Sequence, residues 1–164
     1  MVDWIRLHNK VKESATFQLL SPNQRAAFSF LQKAVRYANR LNLYGESGVG
    51  KTFVGWVLAR ELGALYLPDP SGKMEKAEII VIDDAPFTRM QSRILYGEAL
   101  EYANSVILLS REPINDHIVQ VQLSLTAEDL AFVAETIRGF GGPLRAVTEP
   151  EPGFLWNYFC IQVG

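Results

Sequence analysis

One stretch of the chain constrains the fold more than any other, because it joins an apolar segment to a helical segment through glycines. Residues 40–44 (RLNLY) indicate a short strand, and residues 45–52 (GESGVGKT) follow it directly. Residues 51–62 then place apolar side chains at helical spacing and end at Gly63. This succession predicts a helix that begins at the end of a buried strand, as in α/β proteins.

The glycine segment matches G-x-x-x-x-G-K-[ST], the pattern of a phosphate-binding loop. Its glycines allow backbone conformations that place N–H groups around phosphate oxygens, and the helix that follows adds the positive end of its dipole. We expect Lys51 to contact the β- and γ-phosphates of ATP and the Thr52 hydroxyl to bind Mg²⁺. The predicted nucleotide-binding residues are Gly45, Glu46, Ser47, Gly48, Val49, Gly50, Lys51, Thr52 and Phe53.

Four further segments indicate strands, with helical segments between them. Residues 78–82 (EIIVI) and 105–110 (SVILLS) are apolar along most of their length, as expected when helices cover both faces of a strand. Residues 64–67 (ALYL) indicate a short strand, and residues 118–123 (IVQVQL) alternate, which favours an edge strand with one exposed face. The order predicts a three-layer α/β sandwich around a parallel five-stranded sheet.

Capping patterns predict three helices besides the one at the glycine loop. The capping pairs are Ser21–Gln24, Thr88–Gln91 and Thr126–Asp129, and the second helix is expected to continue through about Ala103. The inward faces predicted for the first two of these helices are Ala27, Phe30, Leu31, Ala34, Val35 and Ala38, and Ile94, Leu95, Ala99 and Leu100.

Two adjacent carboxylates follow the strand at residues 78–82. Asp83 is placed to hold magnesium through water, which is the second element that nucleotide hydrolysis needs. Asp84 lies one residue further, where a carboxylate can act as the base that polarises a water aimed at the γ-phosphate. The alternative is a polar strand end terminated by Pro86; the phosphate loop upstream favours the catalytic interpretation.

The strand at residues 105–110 ends in Ser110, and Arg111 follows. Two interpretations of Ser110 remain open: it orients the attacking water or senses the γ-phosphate, or it marks a strand-to-loop transition, where serine is common. His8 and His117 have no cysteine or paired acid at ligand spacing. We therefore expect no metal other than magnesium.

The segments GESGVGKT, IIVIDDA and VILLSREP resemble, in their order, the motifs of AAA+ ATPases. Within that family the resemblance is to the branch of replication initiators and helicase loaders and to the neighbouring superfamily 3 viral helicases. It implies a P-loop NTPase fold, here a minimal AAA+-like core without a clear helical lid. The segment TFQLLSPNQRAAFSFL is similar to the initiator segment that contacts adenine, which implies that Phe17 and Leu19 or Leu20 border the base.

The resemblance also directs attention to arginines, because AAA+ proteins place an arginine finger between their fourth and fifth strands. Here that interval is REPINDH, so Arg111 is its candidate for a second cation at the γ-phosphate, acting from a neighbouring subunit. Arg89 and Arg93, on the helix after the paired acids, are rival candidates. The helix at residues 126–138 and the tail are the only segments that could replace the family's lid.

Composition limits the partners and the location. The net charge of −2 gives no overall positive field for nucleic acid, although a local basic groove or a ring of subunits stays open. Cys160 is the single cysteine, so no intrachain disulfide can form. The charged N-terminal segment is unlike a signal peptide, and no aliphatic run could span a bilayer, so we expect a cytoplasmic protein without membrane contact.

The leading hypothesis is a single ATPase domain (residues 1–164) in which residues 1–20 border the nucleotide and residues 143–164 form a β-hairpin around EPEPG. It would bind ATP or ADP with Mg²⁺ and act as a switch, loader or motor on a protein partner, in DNA replication or in mobile-element or phage biology. DNA contact and self-assembly stay open. One alternative is a nucleotide-dependent interaction module with little turnover. The other is a small-molecule kinase, whose arginine-bearing lid and acceptor pocket the sequence does not show.

Overall fold

Five parallel strands form the centre of the protein in a computed structural model, which describes residues 4–140. The elements along the chain are α1 (Trp4–Glu13), a 3₁₀ turn (Phe17–Leu19), α2 (Pro22–Ala34), β1 (Arg40–Tyr44), α3 (Lys51–Leu62), β2 (Leu65–Leu67), β3 (Ala77–Ile82), α4 (Arg89–Ala99), β4 (Ala103–Ser110), β5 (Val119–Gln122) and α5 (Ala127–Gly139). The strands lie in the order β2-β3-β4-β1-β5, so β5 is an edge strand, as its alternating sequence predicted.

Both faces of the sheet are covered, which confirms the predicted three-layer sandwich. Alternate residues of the central strands enter two separate cores, because successive side chains of a strand point to opposite faces. Leu41, Val81 and Ile107 pack on the side of α2 and α3. Ile80 and Leu108 pack on the side of α4.

The predicted inward faces of α2 and α4 are wrong at one position each. Phe30 is 38% exposed and Ile94 is 57% exposed, whereas Phe28 and Tyr96 are buried in their place. Tyr96 can be buried because its hydroxyl donates a hydrogen bond to the Leu41 carbonyl, which satisfies its polar end. Phe28 and Tyr96 continue the i, i+3, i+4, i+7 spacing of the buried residues on their helices, which Phe30 and Ile94 do not.

The boundary between α4 and β4 also differs from the prediction. The helix ends at Ala99, and Ala103, predicted as its end, is the first residue of β4. Pairing with β3 explains the early start of the strand, since Ala77 lies opposite Ala103 and the Asn104 amide donates to the Glu78 carboxylate at 2.6 Å.

Helix α1 was not predicted, although Trp4, Leu7 and Val11 recur at helical spacing between its charged residues. It packs against α3 through aromatic and cationic contacts. The His8 ring meets the Trp56 ring edge-on with centroids 5.3 Å apart, and the Lys12 ammonium lies 5.6 Å from the Trp56 centroid. At its other end the Arg60 guanidinium donates to the Glu13 carbonyl. The helix therefore covers the outer surface of α3.

The capping patterns predicted the helix starts correctly. The Gln24 side chain accepts a hydrogen bond from the Ser21 N–H at 3.0 Å, and Thr88 Oγ1 accepts from the Gln91 N–H at 3.4 Å. Among residues 4–140, no helix is both long and apolar enough to cross a membrane. The hairpin predicted around EPEPG lies outside the described residues.

Asp129 joins the start of α5 to the start of α2. Its buried carboxylate accepts hydrogen bonds from the Asn23 N–H at 2.8 Å, the Thr126 N–H at 2.8 Å and the Thr126 hydroxyl at 2.9 Å. Burial alone would raise the pKa of Asp129, but these bonds favour the charged form, and the pKa lies below its ordinary value.

Asp129→Ala is therefore expected to lower the free energy of unfolding by about 1–3 kcal/mol, because it leaves buried N–H groups without an acceptor. Asp129→Asn keeps an acceptor but loses the charge. The pKa of Asp129 is lower in the folded protein than in the unfolded chain. The charge therefore stabilises the fold above the unfolded pKa of about 3.9, and this stabilisation is lost as the pH falls below that value. Urea unfolding between pH 7 and pH 3 measures both effects.

Glu128→Ala is the matched control, because Glu128 is the exposed neighbour of Asp129 and should change stability little. A stability gap between the parent and Asp129→Asn that stays constant from pH 7 to pH 3 would contradict the assigned role.

Candidate nucleotide-binding site

The glycine loop lies between β1 and α3, at the carboxyl edge of the sheet. The Gly45 N–H donates to the Ser110 carbonyl at 3.1 Å, which continues the pairing of β1 with β4 beyond the strand. A Cβ on Gly45 would lie 2.4 Å from the Leu123 carbonyl oxygen, so this position excludes any side chain. Gly50, at the start of α3, has a φ of 90°, which glycine adopts without strain.

Lys51 lies inside this loop and is only 9% exposed. Its ammonium donates to the carbonyl of Gly45 and, at 2.9 Å, to the carbonyl of Glu46. Burial lowers the pKa of Lys51, the Asp83 carboxylate acts in the opposite direction, and the nearby Arg111 charge lowers it further. The ammonium therefore lies at the point where the loop, the paired acids and Arg111 meet.

Asp83 directly follows β3 and lies beside the start of α3. Both oxygens of its carboxylate accept hydrogen bonds. Oδ2 accepts hydrogen bonds from the Thr52 hydroxyl at 2.5 Å and the Tyr66 hydroxyl at 2.7 Å. Oδ1 accepts from the Asp84 N–H at 2.8 Å. Burial and then the hydrogen bond to Asp83 raise the pKa of Tyr66, so this hydroxyl remains a donor.

The Thr52 hydroxyl and the Asp83 carboxylate offer the kind of oxygen atoms that magnesium binds. Magnesium prefers oxygen ligands and is commonly bound through one or two protein groups together with substrate phosphates and water. Within residues 4–140, no group of three or more His, Cys, Asp or Glu side chains could hold a metal ion by itself. A cation at this hydroxyl and carboxylate would therefore depend on the phosphates that the loop is suited to bind.

Asp84 occupies a special backbone position directly after Asp83. Its φ of 47° lies in the left-handed region, and within residues 4–140 no other non-glycine residue has a positive φ. The next N–H, of Ala85, donates to the Leu109 carbonyl at 3.0 Å and fixes this turn against β4. The exposed Asp84 side chain lines the cleft beside the loop. Such a conformation costs about 1–3 kcal/mol and is found most often at functional sites.

Ser110 belongs to a buried polar chain that the sequence did not predict. Its hydroxyl lies within hydrogen-bonding distance of the Asn42 side-chain oxygen, at 3.0 Å, and of the Glu112 carbonyl, at 2.8 Å. The Asn42 amide donates to the Gln120 side chain at 3.2 Å, and Gln120 bonds both backbone groups of Ile114 at 3.0 Å. These contacts hold the loop that carries Arg111. The polar Asn42 within the apolar strand β1 was the available signal.

The three candidate arginines differ in their contacts. Arg93 donates to both oxygens of Asp116, at 2.5 and 3.0 Å, and Arg89 lies 3.7 Å from the same carboxylate. The Arg93 hydrogen bonds lower the pKa of Asp116 to about 2. Arg111 is exposed, lines the cleft, and makes no hydrogen bond or ion pair with any other residue in the range 4–140. Of the three, Arg111 has the charge that is free to meet a ligand.

A cleft of about 1070 Å³ extends from the loop towards both ends of the described chain. Of the residues predicted to border the base, Leu19 lines this cleft, whereas Phe17 packs on Phe28 with ring centroids 5.5 Å apart and Leu20 is buried in the core. Cleft-lining residues that sequence reasoning missed include His8 and Val11 of α1, Trp56 of α3, Tyr66 of β2, and Val133 and Thr136 of α5. None of these residues belongs to a motif, so no sequence signal distinguished them.

A parallel sheet in this order, with a glycine loop after β1 and paired acids after β3, is the arrangement of a P-loop NTPase-like fold. Solved structures with this fold include the replication initiator DnaA bound to AMPPCP and single-stranded DNA, with a TM-score of 0.52, 15% identity, and coverage of 79% of this chain and 56% of that chain. A DNA replication initiation factor gives a TM-score of 0.52 and 16% identity, with coverage of 81% and 57%.

The chain therefore spans a little over half of the length of each initiator structure. No protein-family model and no curated protein matches its sequence. At 15–16% identity the likeness shows the fold, which is the P-loop core of the replication initiators.

Proposed function

We propose that the protein binds ATP with magnesium, hydrolyses it, and uses the cycle to act on a partner as a switch, loader or motor. The observation that carries this proposal is the contact between the Thr52 hydroxyl and the Asp83 carboxylate at 2.5 Å, directly beside the loop that holds Lys51. The Thr52 hydroxyl, the Asp83 carboxylate and the Lys51 ammonium lie together beside the start of α3. These are the groups that a magnesium–triphosphate complex needs.

Each polar residue of the cleft then has a distinct role. The loop N–H groups and Lys51 bind the phosphates, and Thr52 and Asp83 would hold a magnesium ion, which would neutralise phosphate charge. Asp84 lies beside them with an exposed carboxylate and serves as the base for the attacking water. Arg111 supplies a second positive charge at the γ-phosphate.

The apolar part of the cleft is suited to the base and sugar. Leu19 comes from the N-terminal segment, Phe53 from α3, and Val133 from α5, so three separate elements enclose this part. ATP and ADP share these contacts and differ only at the phosphate end, which is where the charged residues lie. A partner could therefore recognise the state of the γ-phosphate through the loop after β4, which carries Arg111.

The solved neighbour DnaA is bound to single-stranded DNA and to a nucleotide analogue, which supports a role in DNA replication or in mobile-element or phage biology. DNA is the secondary partner in our proposal, because the net charge of −2 gives no overall attraction to phosphates. A protein partner, or further copies of this chain, is the primary one.

One observation favours a nucleotide-dependent interaction module with little turnover as the second candidate. The Ser110 hydroxyl is engaged by Asn42 and by the Glu112 carbonyl, so its hydrogen is not free to orient a water molecule. In that case ATP would bind and change the protein's interactions while hydrolysis stayed slow. Measurement of both affinity and turnover distinguishes the two candidates.

Lys51→Ala is the direct test of nucleotide binding. Charge-assisted hydrogen bonds contribute about 1.5–3 kcal/mol each, so we expect the affinity for a fluorescent ATP analogue to fall by about 10- to 100-fold. Lys73→Ala is the matched control, because Lys73 lies in the exposed loop after β2 with its side chain 87% exposed. Circular dichroism checks the fold of both variants. Parent-like affinity in a folded Lys51→Ala variant would exclude the assigned site.

A further inference from the structure

Tyr66 contacts the proposed metal-binding carboxylate although it belongs to a different strand and to no sequence motif. Its hydroxyl donates to Asp83 Oδ2 at 2.7 Å, the same oxygen that accepts the Thr52 hydroxyl at 2.5 Å. We propose, on the basis of the magnesium–ATP function proposed above, that Tyr66 is a positioning residue that fixes the Asp83 carboxylate in the orientation that binds magnesium.

The register of the sheet places Tyr66 for this contact. Tyr66 of β2 lies opposite Val81 of β3 in the parallel pair, and Asp83 is two residues beyond Val81. Residues two apart in a strand share a face, so the Tyr66 and Asp83 side chains point to the same side of the sheet. The Asp83 N–H also donates to the Leu67 carbonyl at 2.9 Å, which extends the register past the end of β3.

Helix α3 leaves room for the Tyr66 ring through a glycine. A Cβ on Gly55 would lie 3.1 Å from Tyr66 Cε2 and 3.0 Å from Leu109 Cδ1, so any larger residue would press on the ring. Gly55 lies on the same helix as Thr52. The absence of a side chain at Gly55 therefore allows the tyrosine to reach Asp83 beneath the helix that carries the second metal-binding group.

The donors around Asp83 leave the carboxylate little rotational freedom. Tyr66 and Thr52 both bond Oδ2, and the Asp84 N–H bonds Oδ1 at 2.8 Å. A threonine hydroxyl that donates to a carboxylate keeps its lone pairs for a cation. Tyr66 can hold Oδ2 in place while the Thr52 oxygen serves the metal. Groups that orient a metal ligand in this way typically change metal affinity by about 10- to 100-fold when they are removed.

Tyr66→Phe tests this role, because it removes the hydroxyl and keeps the ring beside Gly55. We expect the magnesium concentration that half-saturates binding of a fluorescent ATP analogue to rise by about tenfold. In EDTA, the variant and the parent should bind the same analogue with equal affinity, since the phosphate loop is unchanged. Tyr96→Phe is the matched control: its hydroxyl also makes a buried hydrogen bond, to the Leu41 carbonyl, in the core on the opposite face of the sheet.

The outcomes separate this inference from the proposed function. If the parent shows magnesium-dependent binding and a folded Tyr66→Phe variant has the same magnesium dependence, the role of Tyr66 is overturned and the function stands. If the parent binds no ATP analogue at any magnesium concentration, the proposed function fails and the role of Tyr66 fails with it. A magnesium shift in Tyr96→Phe equal to that in Tyr66→Phe would show a general effect of lost stability and would also overturn the role.

Gly55→Ala reaches the same contact without removing the hydroxyl, and it decides the matter if Tyr66→Phe does not fold. The added methyl group should displace the ring and raise the half-saturating magnesium concentration. Where Tyr66→Phe does fold, the same methyl group should not raise the half-saturating magnesium concentration further in that background, because the effects of coupled residues are not additive. An unchanged magnesium dependence in a folded Gly55→Ala variant would overturn the proposal.

Discussion

Arg111→Ala is expected to lower the rate of ATP turnover by about 10³-fold or more, with a much smaller change in ATP affinity. The transition state spreads negative charge over the γ-phosphoryl oxygens, and an arginine that meets this charge contributes about 10³- to 10⁵-fold in comparable enzymes. Among residues 4–140, Lys51 and Arg111 are the lysine and arginine side chains that line the cleft. Single-turnover hydrolysis measured with saturating ATP separates the rate from the affinity.

Arg89→Ala is the matched control for this experiment. Arg89 is exposed and lies 3.7 Å from Asp116, so its loss removes a weak surface ion pair and should change turnover little. A loss of turnover in Arg89→Ala as large as that in Arg111→Ala would contradict the assignment of Arg111.

The structure also favours action of Arg111 within its own chain. The residue lines the cleft of the chain that carries it, and its charge lowers the pKa of Lys51 in that chain. We therefore expect turnover per subunit to be independent of protein concentration. A mixture of Arg111→Ala and Lys51→Ala proteins should then recover no activity. Recovery on mixing would show that the sequence-based hypothesis, a cation supplied by a neighbouring subunit, is the right one.

The sequence predicted the centre of this fold well, because local signals and the fold agree there. The segment from Arg40 to Leu62 has its predicted strand and helix bounds, since a glycine loop, a capped helix and an apolar strand leave few other structures. The edge strand β5 and the start of α5 directly after Thr126 were also predicted correctly, for the same reason. Each of these depends on residues close together in the chain.

The prediction was weaker where contacts between distant residues decide the structure. Helix α1 is stabilised by contacts with Trp56 and by the Arg60 bond to Glu13, which no local pattern in residues 4–13 shows. Ile94 is exposed, and Tyr96 takes the inward position, where its hydroxyl bonds the Leu41 carbonyl. Hydrophobicity favoured the isoleucine, and the partner that allows the tyrosine hydroxyl to be buried lies on a strand distant in the chain.

The residues of the candidate site also divide into those that local motifs predicted and those that contacts between distant residues bring together. Lys51, Thr52 and Asp83 meet as the motifs predicted, because the loop and the end of β3 lie at one edge of the sheet. Tyr66 contacts Asp83 through strand register, and Asn42 contacts Ser110 in a buried polar chain; both were missing from the sequence analysis. Sequence motifs therefore predicted the groups proposed to bind a ligand, and the structure added the groups that contact them.

Asp84→Asn is expected to lower ATP turnover by about 10²- to 10⁴-fold while ATP affinity stays close to that of the parent, because the amide cannot accept the proton of the attacking water. Asparagine suits this test since it tolerates the left-handed backbone that Asp84 adopts, with a φ of 47°. Alanine at the same position would add backbone strain to the loss of the carboxylate, and the two effects could not be separated.

The matched control for Asp84 is Asp69→Asn, in the exposed loop after β2, where the carboxylate bonds only Ser71 among residues 4–140. This change should leave turnover at the parental rate. Isothermal calorimetry with a non-hydrolysable ATP analogue measures affinity, and phosphate release measures turnover on the same preparations. If Asp84→Asn binds the analogue normally and still hydrolyses ATP at the parental rate, Asp84 is not the base.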